Sequence, residues 1–389
     1  MKLIFKLLFA CLLLVGMNAQ ESRAQGAADV SGVFRAGLTD ANKVMNAYFQ
    51  PFAESFGIGL AQNWYNTAVP LKLLRFNVQL GASYIRIPEE MLTFNPQTLG
   101  LTNLRTVDPA VTSAPTINGE GDGPVYAIYG DDPTNPGGPQ IKIQEIAGLT
   151  SGLGLSANAV PNIQVNLGLI KKTEVSVRYV PTIDLGTLGS DGLSGSVGLW
   201  GIGVKHDLLQ WIPLASKLPF SVSGYFNYTA MSIELGTSFP GPDNSNYAGN
   251  TGPGAVTGFR FDGTPGDYTN QQIALNANAM GFGIIASKKL LIFTPYVSAG
   301  FVRSSFSLKT AGDYALPTGL EANAATPDPS DLREIYTNYK DPLDISFDSA
   351  NTFRAGVGLR LKLLIFAIHA EAFTAGGYNG YNAGLSIGF

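Results

Sequence analysis

The chain carries two histidines, His206 and His369, and the second has the company that chemistry would need. His369 and Glu371 are two residues apart, so on a strand they share a face. Arg354 and Arg360 lie on one face of the preceding apolar-polar alternation. A turn at Leu363-Leu364 would set His369 opposite Gly358 and Glu371 opposite Gly356, with Arg354 diagonal to Glu371 and Arg360 diagonal to His369. An imidazole with a carboxylate is the base-orienting half of a nucleophilic triad. The same four residues inside a closed sheet form a charge ladder that satisfies itself without catalysis. The strand Phe353 to Leu361 offers no serine on that face, so the ladder is the reading adopted and no catalytic residue is assigned. His206 sits at a strand end between Lys205 and Asp207, which suits an interfacial residue.

Other chemistries find less to work with. The acids Glu120, Asp122, Asp131, Asp132, Asp328 and Asp331 lie in Gly/Pro/Asn-rich stretches without calcium-loop spacing. No phosphate-cradling glycine loop and no zinc spacing occurs, so neither a cofactor nor a metal is expected.

The element that must position the ladder is a sheet closed in lipid. The last residues alternate strictly: Tyr381, Ala383, Leu385, Ile387 and Phe389 are apolar, while Asn382, Gly384, Ser386 and Gly388 are small or polar. One face is greasy and the other wet, as in the closing strand of a transmembrane barrel. Charged residues make up 14 % of the 389-residue chain, against roughly 25 % in soluble proteins, and glycine is abundant at 46. No later apolar run approaches the ~18 residues of a spanning helix, and lipid admits only helices or closed sheets. The fold class expected is an all-β antiparallel up-and-down barrel over residues 71–389.

Arg75 to Tyr84 is the first convincing strand, with Phe76, Val78, Leu80, Ala82 and Tyr84 on one face; it should close against the last. Ile163 to Leu169 and Val175 to Tyr179 form a hairpin about Lys171-Lys172-Thr173, with Leu169 expected opposite Val175. Further strands fall at about 195–205, 219–235, 271–287 and 290–308, then the hairpin of the ladder. This parse gives ten strands and sorts the long loops, 88–160, 182–194, 236–270 and 310–350, to one end. Candidate extra strands at 97–107, 124–129 and 140–146 raise the expectation to 10–14, with 12 the best single number. Val197 to Val204 has an ambiguous face. Asn276 and Asn278 should point inward, yet Met280, Phe282 and Ile284 share their parity; a β-bulge near Met280 would restore the phase, the alternative being an apolar patch in the lumen.

The front end differs. Lys2 and Lys6, the apolar run Leu7 to Val15, and Ala19 or Ala24 make a secretory signal peptide, residues 1–24. Cutting after Ala24 removes three cations and one acid, and the formal charge moves from −4 to −6. That acidity gives no reason for a nucleic-acid partner. Cys11, the only cysteine, follows Leu8-Phe9-Ala10 in a faint lipoprotein box, but the apolar run continues past it. Residues 25–70 read as helical: Asp40 as cap of a helix Ala41 to Gln50, Pro51 opening a second, and Gly57 to Gln62 a linker. Val44, Tyr48, Phe52 and Phe56 form a narrow apolar stripe. The segment is either a periplasmic helix on the barrel rim or a plug in the lumen. Its length and its position directly before the first strand favour the plug, which would require more than eight strands.

The stretches N-A-Y-F-Q-P-F at 46–52, W-Y-N-T-A at 64–68 and G-I-G-V-K-H-D-L-L-Q-W-I-P-L-A-S-K-L-P at 201–219 resemble an uncharacterised family of Bacteroidota-type outer-membrane barrels. Tyr65-Asn66-Thr67-Ala68 is also similar to a motif of the long-chain fatty-acid transporter family, with Thr67 where that family has proline. The second resemblance implies passage of small hydrophobic molecules through a plugged barrel. Three functions are carried forward: a passive channel or transporter for such molecules, a non-transporting structural or surface-binding barrel, and a barrel-embedded lipid-modifying enzyme. The expected location is the outer membrane of a Gram-negative bacterium. Outer-membrane lipid, the barrel assembly machinery acting through the C-terminal strand, and a small hydrophobic ligand are the expected partners.

Overall fold

The computed structural model describes residues 37–147, 150–184, 194–213, 218–237, 239, 241–251, 254–326, 330–348 and 351–389. The expected signal peptide with Cys11, and the loop acid Asp328, lie outside them.

Apolar-polar alternation over long stretches produces ten antiparallel strands that close on themselves. In chain order the barrel strands are β1 (Phe76–Arg86), β5 (Ala157–Leu169), β6 (Thr173–Asp184), β7 (Gly195–Asp207), β8 (Ser221–Thr237), β10 (Gln271–Ser287), β11 (Phe293–Ala311), β15 (Thr352–Leu363), β16 (Phe366–Ala375) and β17 (Tyr378–Gly388). Each pairs with the next, and β17 returns to β1 with Leu80 opposite Leu385 and Tyr84 opposite Tyr381. The stacked rings of Phe76 and Phe389, centroids 5.3 Å apart, fasten that seam at the short-turn end. A short piece, β14 (Asp344–Asp348), pairs with β11 above the point where β15 leaves it. The barrel is therefore ten strands plus one, not twelve.

The extra strands expected within 88–160 exist, but outside the wall. β2 (Leu104–Thr106), β3 (Tyr126–Gly130) and β4 (Ile141–Ile146) make a separate three-stranded sheet, as do β9 (Val256–Asp262), β12 (Asp313–Ala322) and β13 (Leu332–Lys340). Both belong to the long loops and roof the same end of the barrel.

The wall has two storeys. Near the short turns the outward side chains are apolar, as on β11 from Phe293 through Val297 to Phe301, while the inward ones, Thr294 and Ser298 among them, are buried. That outward run is about as long as the roughly 9–11 residues a tilted strand needs to cross hydrocarbon. Toward the long loops the pattern inverts. β11 then shows Arg303, Ser305, Ser307 and Lys309 outward and buries Val302, Phe306 and Leu308. β1 likewise turns Ile85 inward and Arg86 outward, and β16 buries Phe373. A wall that clears the lipid has water outside and can carry its apolar core inside.

This inversion corrects the reading of β10. Its pairings with β8 and β11 run without a register shift, so no bulge exists. Asn276 and Asn278 do not point inward: they share the outer face with Met280, Phe282 and Ile284, while Ala277 and Ala279 are buried inside. On β7, Trp200, Ile202 and Val204 face out, and Val197 and Leu199 face the interior. The bulge in this region is on β6, between Val180 and Ile183.

Two hairpins are each displaced by two residues from expectation, which preserves every face. Leu169 pairs with Thr173 and Leu167 with Val175, because Ile170, Lys171 and Lys172 form the loop. Lys171 and Lys172 both adopt positive φ there. In the other, His369 is opposite Arg360 and Glu371 opposite Gly358.

Residues 38–60 form one helix, α1 (Leu38–Leu60), rather than two, and it runs on through the expected linker. Pro51 is accommodated inside it. Asp40 does not cap it; its buried carboxylate accepts from the backbone N–H groups of Thr102, Asn103 and Leu104, tying α1 to the long loop before β5. The helix therefore starts at the long-loop end and descends into the barrel. It touches β1, β5, β10, β11 and β14. Gly57 and Gly59 make the fit: a Cβ on Gly59 would lie 2.6 Å from Val160 and 2.8 Å from Ile85.

Candidate functional site

The stripe Val44, Tyr48, Phe52 and Phe56 lies in the upper-storey core, with Val44 fully buried. Phe52 stacks on Phe56 (5.4 Å) and meets Phe306 of β11 edge-on (5.8 Å), while the Tyr48 hydroxyl donates to the Ser151 carbonyl. The apolar interior of the protruding wall is thus filled by the helix.

From Leu60 the chain crosses the polar storey as an irregular segment of turns and bends to Ala68, and its backbone groups need partners from the wall. Arg178 of β6 donates to the carbonyls of Leu60 (3.2 Å) and Gln62 (2.7 Å) and to the Gln164 side chain, and its guanidinium lies 3.9 Å over the Trp64 ring. Gln164 donates to the Trp64 carbonyl, Thr229 to Leu60, Ser223 to Ala68, and Lys205 to Thr67. The Ser287 hydroxyl accepts from the Ala68 N–H, and Asn63 donates to the Ala383 carbonyl of β17. Nine residues of plug are thereby held by side chains from almost every strand of the barrel.

The four ladder residues separate within this lattice. Arg354 and Glu371 pair at 2.5 Å although the register sets Glu371 opposite Gly358, two residues further from Arg354 than expected, and both are buried. Ser298 of β11 joins them, and Arg354 also donates to Gln62 of the plug (2.9 Å), Asn382 to Glu371 (2.8 Å). His369 instead contacts Asn63 (2.7 Å) and Asn66 (3.2 Å). No serine hydroxyl bonds it among the described residues. Arg360, although opposite His369, forms no ion pair among them.

The plug partners were not singled out from the sequence. Arg178 and Lys205 carry the signal that could have found them: a cation on the wet face of a lipid-spanning strand must meet something inside. Lys205 is paired with Glu174 at 3.0 Å, both buried. Gly201 and Gly203 of the same strand clear room for the plug, since a Cβ on Gly203 would lie 2.7 Å from the Trp64 ring. The stretches 64–68 and 201–205, separate in sequence, are therefore one contact. His206 remains interfacial: it bonds Thr173 and accepts from the Trp211 indole N–H at 2.8 Å, and Asp207 accepts from the Leu209 N–H. Among the loop acids, Asp132 is occupied by the Thr134 hydroxyl and N–H, which hold its carboxyl below the usual range.

One family model matches all of residues 1–389. The chain belongs to the family of unknown function DUF6588. No curated protein sequence matches it. Solved structures with a similar barrel architecture include the attachment invasion locus protein Ail of Yersinia pestis (7 % identity, 82 % of this chain and 99 % of that one, TM-score 0.24). Others are the translocator domain of the autotransporter NalP of Neisseria meningitidis (9 %, 94 % and 99 %, 0.27) and the Pseudomonas putida toluene transporter TodX (9 %, 88 % and 97 %, 0.24). At those scores the likeness carries no argument and lends this DUF6588 member no activity.

Proposed function

We propose that this DUF6588 protein is a gated passive channel of a Gram-negative outer membrane, closed at rest by its own N-terminal segment. The observation that carries the reading is the way Leu60 to Ala68 is held. Its bonds to the wall are hydrogen bonds, which water can replace at a net cost of about 0.5–1.5 kcal/mol each between neutral groups and about 1.5–3 kcal/mol each where Arg178 or Lys205 donates. A barrel that served only as scaffold could have filled its lumen with the wall's own side chains. The solute class is small and hydrophobic, supported by the separate apolar cluster that Val180, Ile183 and Val197 form with Leu199 and Ile233 toward the long-loop ends of β6, β7 and β8. Catalysis is not proposed, since His369 is engaged by two asparagines of the plug.

The test is conductance in planar bilayers. The intact protein should be closed with rare openings, and a variant lacking residues 38–68 should conduct steadily. A deletion variant that inserts as a folded barrel and stays silent would end the channel reading. It would favour the second one, a surface-binding barrel. That alternative draws on a cavity of about 760 Å³ at the long-loop end, between the loop sheets at Tyr129, Asp131 and Leu320.

A further inference from the structure

The opposite end of the lumen holds a different kind of space. A cavity of about 480 Å³ opens at the short-turn end beneath Asn66 and Thr67. Six cationic side chains line it: Lys205 of β7, which is paired with Glu174, and five others, Lys72 and Arg75 from the plug's exit, Lys289 from the turn before β11, and Arg360 and Lys362 from β15. None of the five forms an ion pair among the described residues. The cavity's only acidic side chain is Glu174, already committed to Lys205 and to the Leu71 N–H. The Arg360 Nε–H is buried with no acceptor in the protein. Lining one open cavity of that volume gathers these charges at a single mouth of the barrel, close enough for neighbours in the set to repel. Five like charges held that close raise one another's energy, and an unsatisfied buried guanidinium N–H adds to it. A multivalent oxyanion relieves both at once: it accepts from the Arg360 fork while the lysines act as point charges around it. The rim is apolar and open, with Leu291 90 % and Leu364 93 % exposed at the turn tips beside Ile365.

We propose that this vestibule binds a phosphate group, received in the cavity by Arg360, Lys362 and Lys289 with Lys72 and Arg75 closing over it. The phosphate is carried either on a phospholipid whose chains lie over the Leu291–Leu364 rim or on a soluble molecule. The proposal is independent of whether the plug ever opens.

The test uses the full-length protein in uncharged detergent with three variants: Arg360→Gln, the double Lys289→Gln/Lys362→Gln, and Lys172→Gln as control. Lys172 is at the same end but pairs with Asp207 and does not line the cavity. Inorganic phosphate is titrated by calorimetry, and nanodiscs of phosphatidylcholine with or without phosphatidylglycerol are assayed for lipid retained by native mass spectrometry. Saturable phosphate binding that weakens about tenfold in Arg360→Gln and in the lysine double variant, but not in Lys172→Gln, supports a soluble source. One phosphatidylglycerol retained per barrel and lost in the same variants, without binding of free phosphate, supports the headgroup. Binding of neither probe, or binding equal in all three variants, overturns the proposal. The double variant alters exposed residues, so it remains informative if Arg360→Gln fails to fold.

Discussion

Arg178→Ala tests the latch most directly. The buried guanidinium donates to two plug carbonyls and to Gln164, and covers Trp64. Two carbonyls losing a charged donor at about 1.5–3 kcal/mol each, plus a desolvated cation–π contact of about 2 kcal/mol, give a gross loss of about 5–8 kcal/mol. None of its bonded partners is a carboxylate, so keeping the guanidinium dry costs several kcal/mol, and its removal recovers that. The net weakening of plug docking is about 2–4 kcal/mol, which raises the undocked population about 30- to 1,000-fold. Hydrogen exchange reads this locally. The amides of Ala61, Gln62 and Ala68, which bond to Ile58, Gly59 and Ser287, should exchange faster by about that factor, while those of the β1–β17 seam stay unchanged. Arg178→Lys should fall between, because one ammonium cannot serve three diverging acceptors. Unchanged exchange over Ala61 to Ala68 in Arg178→Ala would refute the latch. A parallel rise across the whole barrel would make Arg178 a determinant of global stability instead.

Three further outcomes are expected. Thr39 is exposed at the top of α1, so Thr39→Cys should react with a membrane-impermeant maleimide on whole cells when the long loops face outward; labelling only after lysis would reverse the orientation. Gly59→Val inserts methyls where a Cβ already crowds Val160 and Ile85; a loss of at least about 1–3 kcal/mol should appear as a lower urea midpoint in barrel unfolding. Glu321 lies between Arg260 and Arg333, and the Arg260 hydrogen bond first of all holds its carboxyl below the usual range. A depressed carboxyl stabilises the loop sheet above the carboxylate's unfolded pKa and loses that contribution as pH falls through its folded value. Pulse exchange at residues 333–337, corrected for intrinsic rate, should therefore show loosening in acid that Glu321→Gln abolishes.

Strand period, turn positions and closure of Tyr381–Phe389 on β1 could be read from the chain, because lipid forces strict alternation wherever a strand touches it. The Arg354–Glu371 pair was legible for the same reason: residues of one parity share a face whatever the exact register. Parity does not say which face is inside. On β10 the set Asn276, Asn278, Met280, Phe282 and Ile284 was a single face from the start; only the ring of neighbours, and α1 against Ala277 and Ala279, decided that this face looks outward. The two-storey wall, the descent of the helix from the long-loop end, the reach of Arg178 to Leu60 and the gathering of Lys72, Lys289 and Arg360 at one mouth all join residues far apart in the chain. Local pattern records what a residue's surroundings must be like. Which residues supply those surroundings is settled only when the barrel closes around its plug.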